Sequence, residues 1–221
     1  MNLRSESEPS SSPTRNRSRR LTLIVLLFVV GTIVVAYATA CFVSEHDLSP
    51  IVRPFCTRET RRAIDTLRSE GLQVYYLRLH YRRNGWMVVS RHDSSMDDTK
   101  LLGLAPALRV LEPTIVFLTH NRIGDSGVAC LGGIRSIEFL DLGWTQLGDA
   151  SSKTLATLPF LKELYLNDTA ITDVGLGDLK NLKNLQLLAV GKTRVTQEGI
   201  EAFGRAAPSI DVDNSGRGWP R

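Results

Sequence analysis

Cysteine is scarce, with three residues in 221, and an odd number leaves at least one thiol unpaired if the chain is exported. Cys130 sits beside an apolar column and reads as a small core residue. Cys41 and Cys56 flank a linker and are candidates for a bridge, although sequence alone does not give their separation. Catalytic signatures are missing as well. There is no Gly-x-Ser-x-Gly elbow, no His-Glu-x-x-His and no glycine loop of the kind that cradles phosphate. His92-Asp93-Ser94-Ser95 sets hydrolase residue types side by side, but a triad is a constellation in space built on an oriented nucleophile, and a polar turn after a hairpin strand explains the same residues. His46, His80 and His120 are scattered, with no metal-ligand spacing to one another or to cysteine. The expectation is therefore no enzyme, no catalytic residue, no cofactor and no metal.

A sustained excess of one charge is also absent. Arg4, Arg15, Arg17, Arg19 and Arg20 against Glu6 and Glu8 supply +3 of the net +4. From Cys41 onward, 22 basic residues face 21 acidic ones, so the bulk of the chain has no electrostatic reason to bind nucleic acid. Charge is missing altogether from Leu21 to Ala40. This run of 20 mostly apolar residues is long enough to cross roughly 30 Å of hydrocarbon as a helix. The segment before it, 1–20, is rich in Ser, Pro and Arg with almost nothing to bury, and reads as a disordered tail. Arginines against one end of the run predict a single-pass membrane protein with a cytoplasmic amino terminus and the remainder outside, anchored in lipid through Leu21 to Ala40. A cleaved export signal is the competing reading, because Ala38-Thr39-Ala40 is a small-x-small site and Cys41 follows it. The run exceeds the usual length of a signal core, roughly 7 to 15 residues, which favours a retained anchor.

What the chain does contain is a period. Asn121, Thr145, Thr169 and Thr193 are 24 residues apart, each followed two places later by an aliphatic residue: Ile123, Leu147, Ile171 and Val195. Val116/Leu118, Leu140/Leu142, Leu164/Leu166 and Leu188/Val190 open each unit as apolar, any, apolar triplets. Asp125, Asp149, Asp173 and Gln197 form a further column, as do Gly127, Ser151, Gly175 and Gly199. A fixed period of this size marks a solenoid of stacked supersecondary units.

The unit from Leu164 to Leu182 resembles a leucine-rich repeat. The string Ile171-Thr172-Asp173-Val174-Gly175-Leu176 resembles the helix-bearing, ribonuclease-inhibitor-like repeats common in bacterial leucine-rich repeat proteins. The resemblance runs from about Val116 to Val212. It departs from the pattern at Ser151 and Ser152, which replace the glycine column, and at Gln197, which replaces aspartate. It implies an α/β solenoid and says little about ligand.

Each triplet reads as a short strand with two side chains in the core and one out. The Asn or Thr that follows ends the strand by bonding to turn backbone. Asp173 is placed at a helix N-cap. Leu176, Leu179, Leu182 and Leu185 hold the helix and its exit on the core. Stacked strands then form a parallel sheet at roughly 4.8 Å spacing, with the odd positions on its concave face.

Ahead of the solenoid (116–212), residues 41–56 read as an extended linker and 57–115 as a cap with a degenerate first repeat. Thr57 caps a helix reaching about Glu70, with Ala63, Ile64 and Leu67 on one face and Gly71 as its stop. Tyr75, Leu77, Leu79 and Tyr81 alternate on a strand face, Asn84-Gly85 is a hairpin signal, and Trp86 to Ser90 returns. Asp97 to Pro113 reads as the helix of the degenerate first unit, a few residues out of register. Residues 213–221 form a tail.

Function is expected on the concave face. Phe117, Asp141, Tyr165 and Ala189 occupy the outward strand column, read as exposed, with His120, Trp144, Asp168 and Lys192 just beyond. Aromatics with interspersed charge match the composition of protein interfaces. Phe117, His120, Asp141, Trp144, Tyr165 and Asp168 are therefore the candidate ligand-binding residues. The partner is expected to be a protein or a cell-envelope ligand. A structural envelope protein without a discrete ligand is the alternative.

Overall fold

The computed structural model describes residues 56–77, 85–90 and 95–216. It opens with helix α1 (Arg58–Ser69), whose N-cap Thr57 accepts from the Thr60 N–H at 3.1 Å. Ala63, Ile64 and Leu67 are the buried face of α1. Gly71 stops the helix at φ 88°, where a side chain would be strained. Strand β1 (Gln73–Leu77) follows and pairs antiparallel with β2 (Gly85–Val89). The expected hairpin residues Leu79 and Tyr81, and His92-Asp93-Ser94, lie outside the described residues.

From β2 onward the sheet is parallel. Its order is β1 to β7 in sequence, with β3 (Ile115–Phe117), β4 (Phe139–Asp141), β5 (Glu163–Tyr165), β6 (Leu187–Ala189) and β7 (Asp211–Asp213). Val88 pairs with Val116, so the hairpin's return strand is also the first parallel strand, ahead of the boundary read at residue 116. Helix α2 (Asp98–Leu111) belongs to this first unit, and Asp97 caps it by accepting from the Lys100 N–H at 2.9 Å. Behind the sheet stand α3 (Asp125–Val128), continued by a 3-10 turn over Ala129–Leu131, then α4 (Asp149–Leu155), α5 (Asp173–Leu179) and α6 (Gln197–Ala206). None of the units from α3 to α5 has a helix long enough to be stable alone in water. Burial holds them: Val116, Leu140, Leu164 and Leu188 are all 0% exposed between sheet and helices.

The aspartate column binds one unit to the next, which corrects the N-cap assigned to Asp173. The cap of α5 is Thr172, whose hydroxyl accepts from the Val174 N–H at 3.2 Å. Asp173 is the first helical residue, and its carboxylate accepts from the backbone and hydroxyl of Thr196, one unit on, each at 2.8 Å. Asp149 does the same to Thr172 N–H and Oγ1 at 2.8 and 2.7 Å, and also accepts from the Gly175 N–H at 3.1 Å. Asp125 holds the Gly148 N–H at 2.8 Å and Asp98 the Gly124 N–H at 2.6 Å. Each carboxylate thereby satisfies orphan amides at the positive end of the following helix. Glycine is needed where backbone meets carboxylate: a Cβ on Gly175 would stand 2.5 Å from Asp149 Oδ1. Gln197 breaks the column in α6, after which the described chain adds β7 but no further helix to hold.

Among the described residues no helix is long and apolar enough to cross a membrane. Leu21 to Ala40, and with it the expected anchor, lies outside them.

Candidate functional site

Sheet register places Phe117, Asp141, Tyr165 and Ala189 side by side on neighbouring strands, facing away from the helices. The expectation that this column is exposed is wrong. Phe117 is 7% exposed, Asp141 4% and Tyr165 6%, while Ala189 is fully buried. The physical cause lies one column over, where the Phe139 ring centre stands 4.9 Å from that of Phe117 and 5.2 Å from that of Tyr165. The rings tile the sheet and, with Met87, Val89 and Ala189, make a second apolar cluster on the face opposite the main core. Tyr75, Leu77, Ile115 and Leu187 pack against it. Phe139, Met87 and Val89 escaped the sequence reading. Strand alternation is the signal that finds Phe139, since it lies two residues before the outward Asp141 and must share its face.

Asp141 is the polar member of this cluster. Its Oδ1 accepts from the Gly143 N–H at 3.0 Å. Burial pushes its carboxyl up to about 7, against a smaller lowering by that N–H. Burial also drives the Tyr165 phenol far above its ordinary range, and the negative charges of Glu163, Asp141 and Asp213 push the same way. The Tyr165 hydroxyl lies 3.4 Å from Glu163 Oε2.

Beyond the strands runs a rim. His120, Trp144, Asp168 and Lys192 share a left-handed backbone, with φ of 58°, 54°, 55° and 58°. Bulky residues adopt this conformation only when their surroundings impose it. Two sets of bonds impose it here. The ladder continues through the His120 N–H to Gly143 O, the Trp144 N–H to Asn167 O and the Asp168 N–H to Gly191 O. The next residue of each unit then ties its buried side chain back to the strand. Thr169 Oγ1 donates to Leu166 O at 2.7 Å, and Asn121 Nδ2 to Leu118 O at 3.2 Å. The turn thus throws the rim side chains outward. His120 and Trp144 stack with centres 4.6 Å apart and planes 11° apart. Asp168 Oδ2 meets Lys192 Nζ at 3.5 Å as an ion pair rather than a hydrogen bond. A shallow open groove runs between them, lined among others by His120, Arg122, Trp144, Gln146 and Asp168.

All six candidate residues therefore fall on one face of one sheet, in two neighbouring columns. Phe117, Asp141 and Tyr165 form its buried floor, and His120, Trp144 and Asp168 its half-buried rim. Among the described residues, no group of three or more His, Cys, Asp and Glu is placed to hold a metal ion. Burial raises the Cys130 thiol to about 11, only partly offset by Arg109, which disfavours the nucleophilic thiolate. Asn167, formally a glycosylation acceptor, is 1% exposed and accepts from the Gly191 N–H at 2.7 Å, which makes it a structural residue.

A family model described as "Leucine Rich repeat" matches residues 114–132 and 157–179. Lumican from Oryctolagus cuniculus is 28% identical over 130 residues, covering 56% of this chain and 66% of that protein. Lumican from Mus musculus is 29% identical over 113 residues, covering 50% and 32%. The chain thus spans less than two thirds of the length of these relatives. Among solved structures, an internalin from Listeria monocytogenes overlays with a TM-score of 0.41 at 21% identity, over 49% of this chain and 30% of that one. The ectodomain of the receptor kinase SOBIR1 from Arabidopsis thaliana overlays with 0.42 at 16% identity, over 71% and 91%. Likenesses this distant bear on neither ligand nor partner. The lumican relatives are mammalian, so the expected bacterial source is not shown. The matched family model over 114–132 and 157–179, together with the recurring strand, turn and helix around one parallel sheet, makes the fold of the described residues a leucine-rich repeat solenoid.

Proposed function

We propose that the chain is a membrane-tethered binding module that takes a protein or envelope ligand on the concave face of its sheet. Leucine-rich repeat proteins in general mediate protein–protein interaction, and the finer reading rests on one observation. Trp144 is held in a backbone conformation unfavourable for a bulky side chain and stacks on His120 at the edge of an aromatic floor. A half-buried tryptophan beside a desolvated apolar patch has the character of an interface anchor. Tethering is supported by the apolar run Leu21 to Ala40 behind its arginines, which also predicts a cytoplasmic tail and an extracytoplasmic solenoid.

Replacing Phe117 or Tyr165 would confound binding with stability, because both are buried. The rim offers a cleaner test: a His120→Ala/Trp144→Ala variant compared with the parent in a crosslinking pull-down from native membranes. The variant should keep its circular dichroism and lose partner recovery by about thirtyfold or more, as for an aromatic anchor contributing 2 kcal/mol or more. Recovery of every parental partner would make the rim ordinary surface. The tether is tested by mass spectrometry of the membrane-bound protein. Peptides from Met1 to Arg20 are expected, and Cys41 as the mature amino terminus would overturn it.

A further inference from the structure

The strand columns of the concave face carry charge of one sign, the basic residues Lys192 and Arg122 lying beyond them on the rim. Neither outward column, from β2 to β7, contains a lysine or an arginine, and their charged members are Asp141, Glu163, Asp211 and Asp213. Asp141 stands apart from the other three, because it is 4% exposed and lies in the middle of the aromatic floor, between Phe117 and Tyr165 on the flanking strands. The Gly143 N–H is its hydrogen-bond donor at Oδ1, and among the described residues no hydrogen bond or ion pair engages Oδ2. A carboxylate in an apolar floor without a cation is destabilising for the fold, since burying a charge is compensated only by a close opposite charge or several hydrogen bonds.

We propose that Asp141 is the anchor for a cationic side chain, arginine or lysine, of a polypeptide partner whose neighbouring apolar residues lie on the aromatic floor; this rests on the reading of the concave face as the binding surface. Charge complementarity selects the partner, because every charged group in both outward columns is acidic. Geometry sets an order along the partner. Met87, Val89, Ile115 and Phe117 make the first strands apolar, whereas Asp211 and Asp213 end the sheet in carboxylates. Desolvation of Asp141 is already in place in the folded protein, so an arriving cation meets a carboxylate in a low-dielectric setting and must give up only its own water. Arginine is the better fit of the two, being more weakly hydrated than an ammonium and able to lie on aromatic rings.

The test uses the full chain in nanodiscs and dodecapeptides selected on it from a random phage-displayed library. Selected peptides are then synthesised, with each basic residue replaced in turn by norleucine, and measured against the parent and Asp141→Asn. The variant keeps an acceptor for Gly143 and the shape of the side chain. The proposal predicts that selected peptides share one basic position whose replacement lowers affinity by at least about thirtyfold, the scale for removing one partner of a buried charge pair. On Asp141→Asn the unmodified peptide should lose as much, and the norleucine peptide should lose nothing further. Peptides that bind Asp141→Asn as well as the parent, yet are lost on His120→Ala/Trp144→Ala, would overturn the Asp141 anchor and leave the concave face standing as a binding surface. Peptides indifferent to both variants would overturn the two together.

Discussion

A carboxylate kept where it costs stability makes an unusual prediction: removing the charge of Asp141 should strengthen the fold at pH 8.5 and not at pH 4, the change building up between about pH 4 and 7. The carboxyl is raised from an ordinary 3.8 to about 7. Its folded value lies above its unfolded value, so the fold takes up a proton. The associated stability is fully present below about pH 4 and is lost as pH rises through 7. At 1.36 kcal/mol per tenfold, the whole difference amounts to about 4 kcal/mol at pH 8.5. Asp141→Asn cannot ionise and escapes that loss. Its new amide N–H₂ brings an unsatisfied donor costing roughly 1 to 3 kcal/mol, which is independent of pH. Urea unfolding of parent and variant at pH 4 and pH 8.5 isolates the electrostatic part, because every other titrating group cancels in the difference. Relative to the parent, the variant should gain about 4 kcal/mol between the two pH values. The same difference at both would mean that Asp141 is solvated and ordinary. A difference that shrinks as pH rises would mean that its carboxylate is stabilised by a cation.

The repeat geometry makes three further predictions. Leu166→Ala should destabilise by about 2 to 5 kcal/mol and Tyr165→Ala by about 3, because the two residues are 0% and 6% exposed in clusters on opposite faces of the sheet; thermal melts showing no loss for Tyr165→Ala would put the second cluster in doubt. Gly175→Ala should cost about 1 to 3 kcal/mol through collision with Asp149, whereas Gly177→Ala, whose Cβ meets nothing within 4 Å, should be neutral or stabilising by up to about 1 kcal/mol; equal effects by chemical denaturation would refute the close approach. Asp149→Ala should cost about 2 kcal/mol by releasing Thr172 and Gly175. Burial of Asp149 works against its charge, but the bonds from Thr172 and Gly175 prevail and hold its carboxyl below 3.8. The cost of Asp149→Ala should therefore be present above that value and fade as pH falls through the folded one; a cost unchanged at pH 2 would argue against the charged bond.

Pattern that repeats along the backbone was legible in the sequence. The apolar triplets gave strand faces, the period of 24 gave the stacking, and Thr57, Gly71 and Asp97 marked helix ends where the structure has them. Each of these signals is local, since strand alternation and helix capping are decided within a few residues of chain. What passes between units was decided only in three dimensions. Asp173 carries the composition of an N-cap, but whether its carboxylate reaches back to its own helix or forward to Thr196 depends on how two units are stacked. The outward column reads as solvent-facing because the sequence shows one strand at a time. Phe139 closes over it because its ring reaches both Phe117 and Tyr165, residues 22 and 26 positions away along the chain. The six candidate residues were thus found by periodicity. Their division into a buried floor holding a carboxylate and a half-buried rim of left-handed residues follows from lateral packing, which brings together side chains that no local spacing relates.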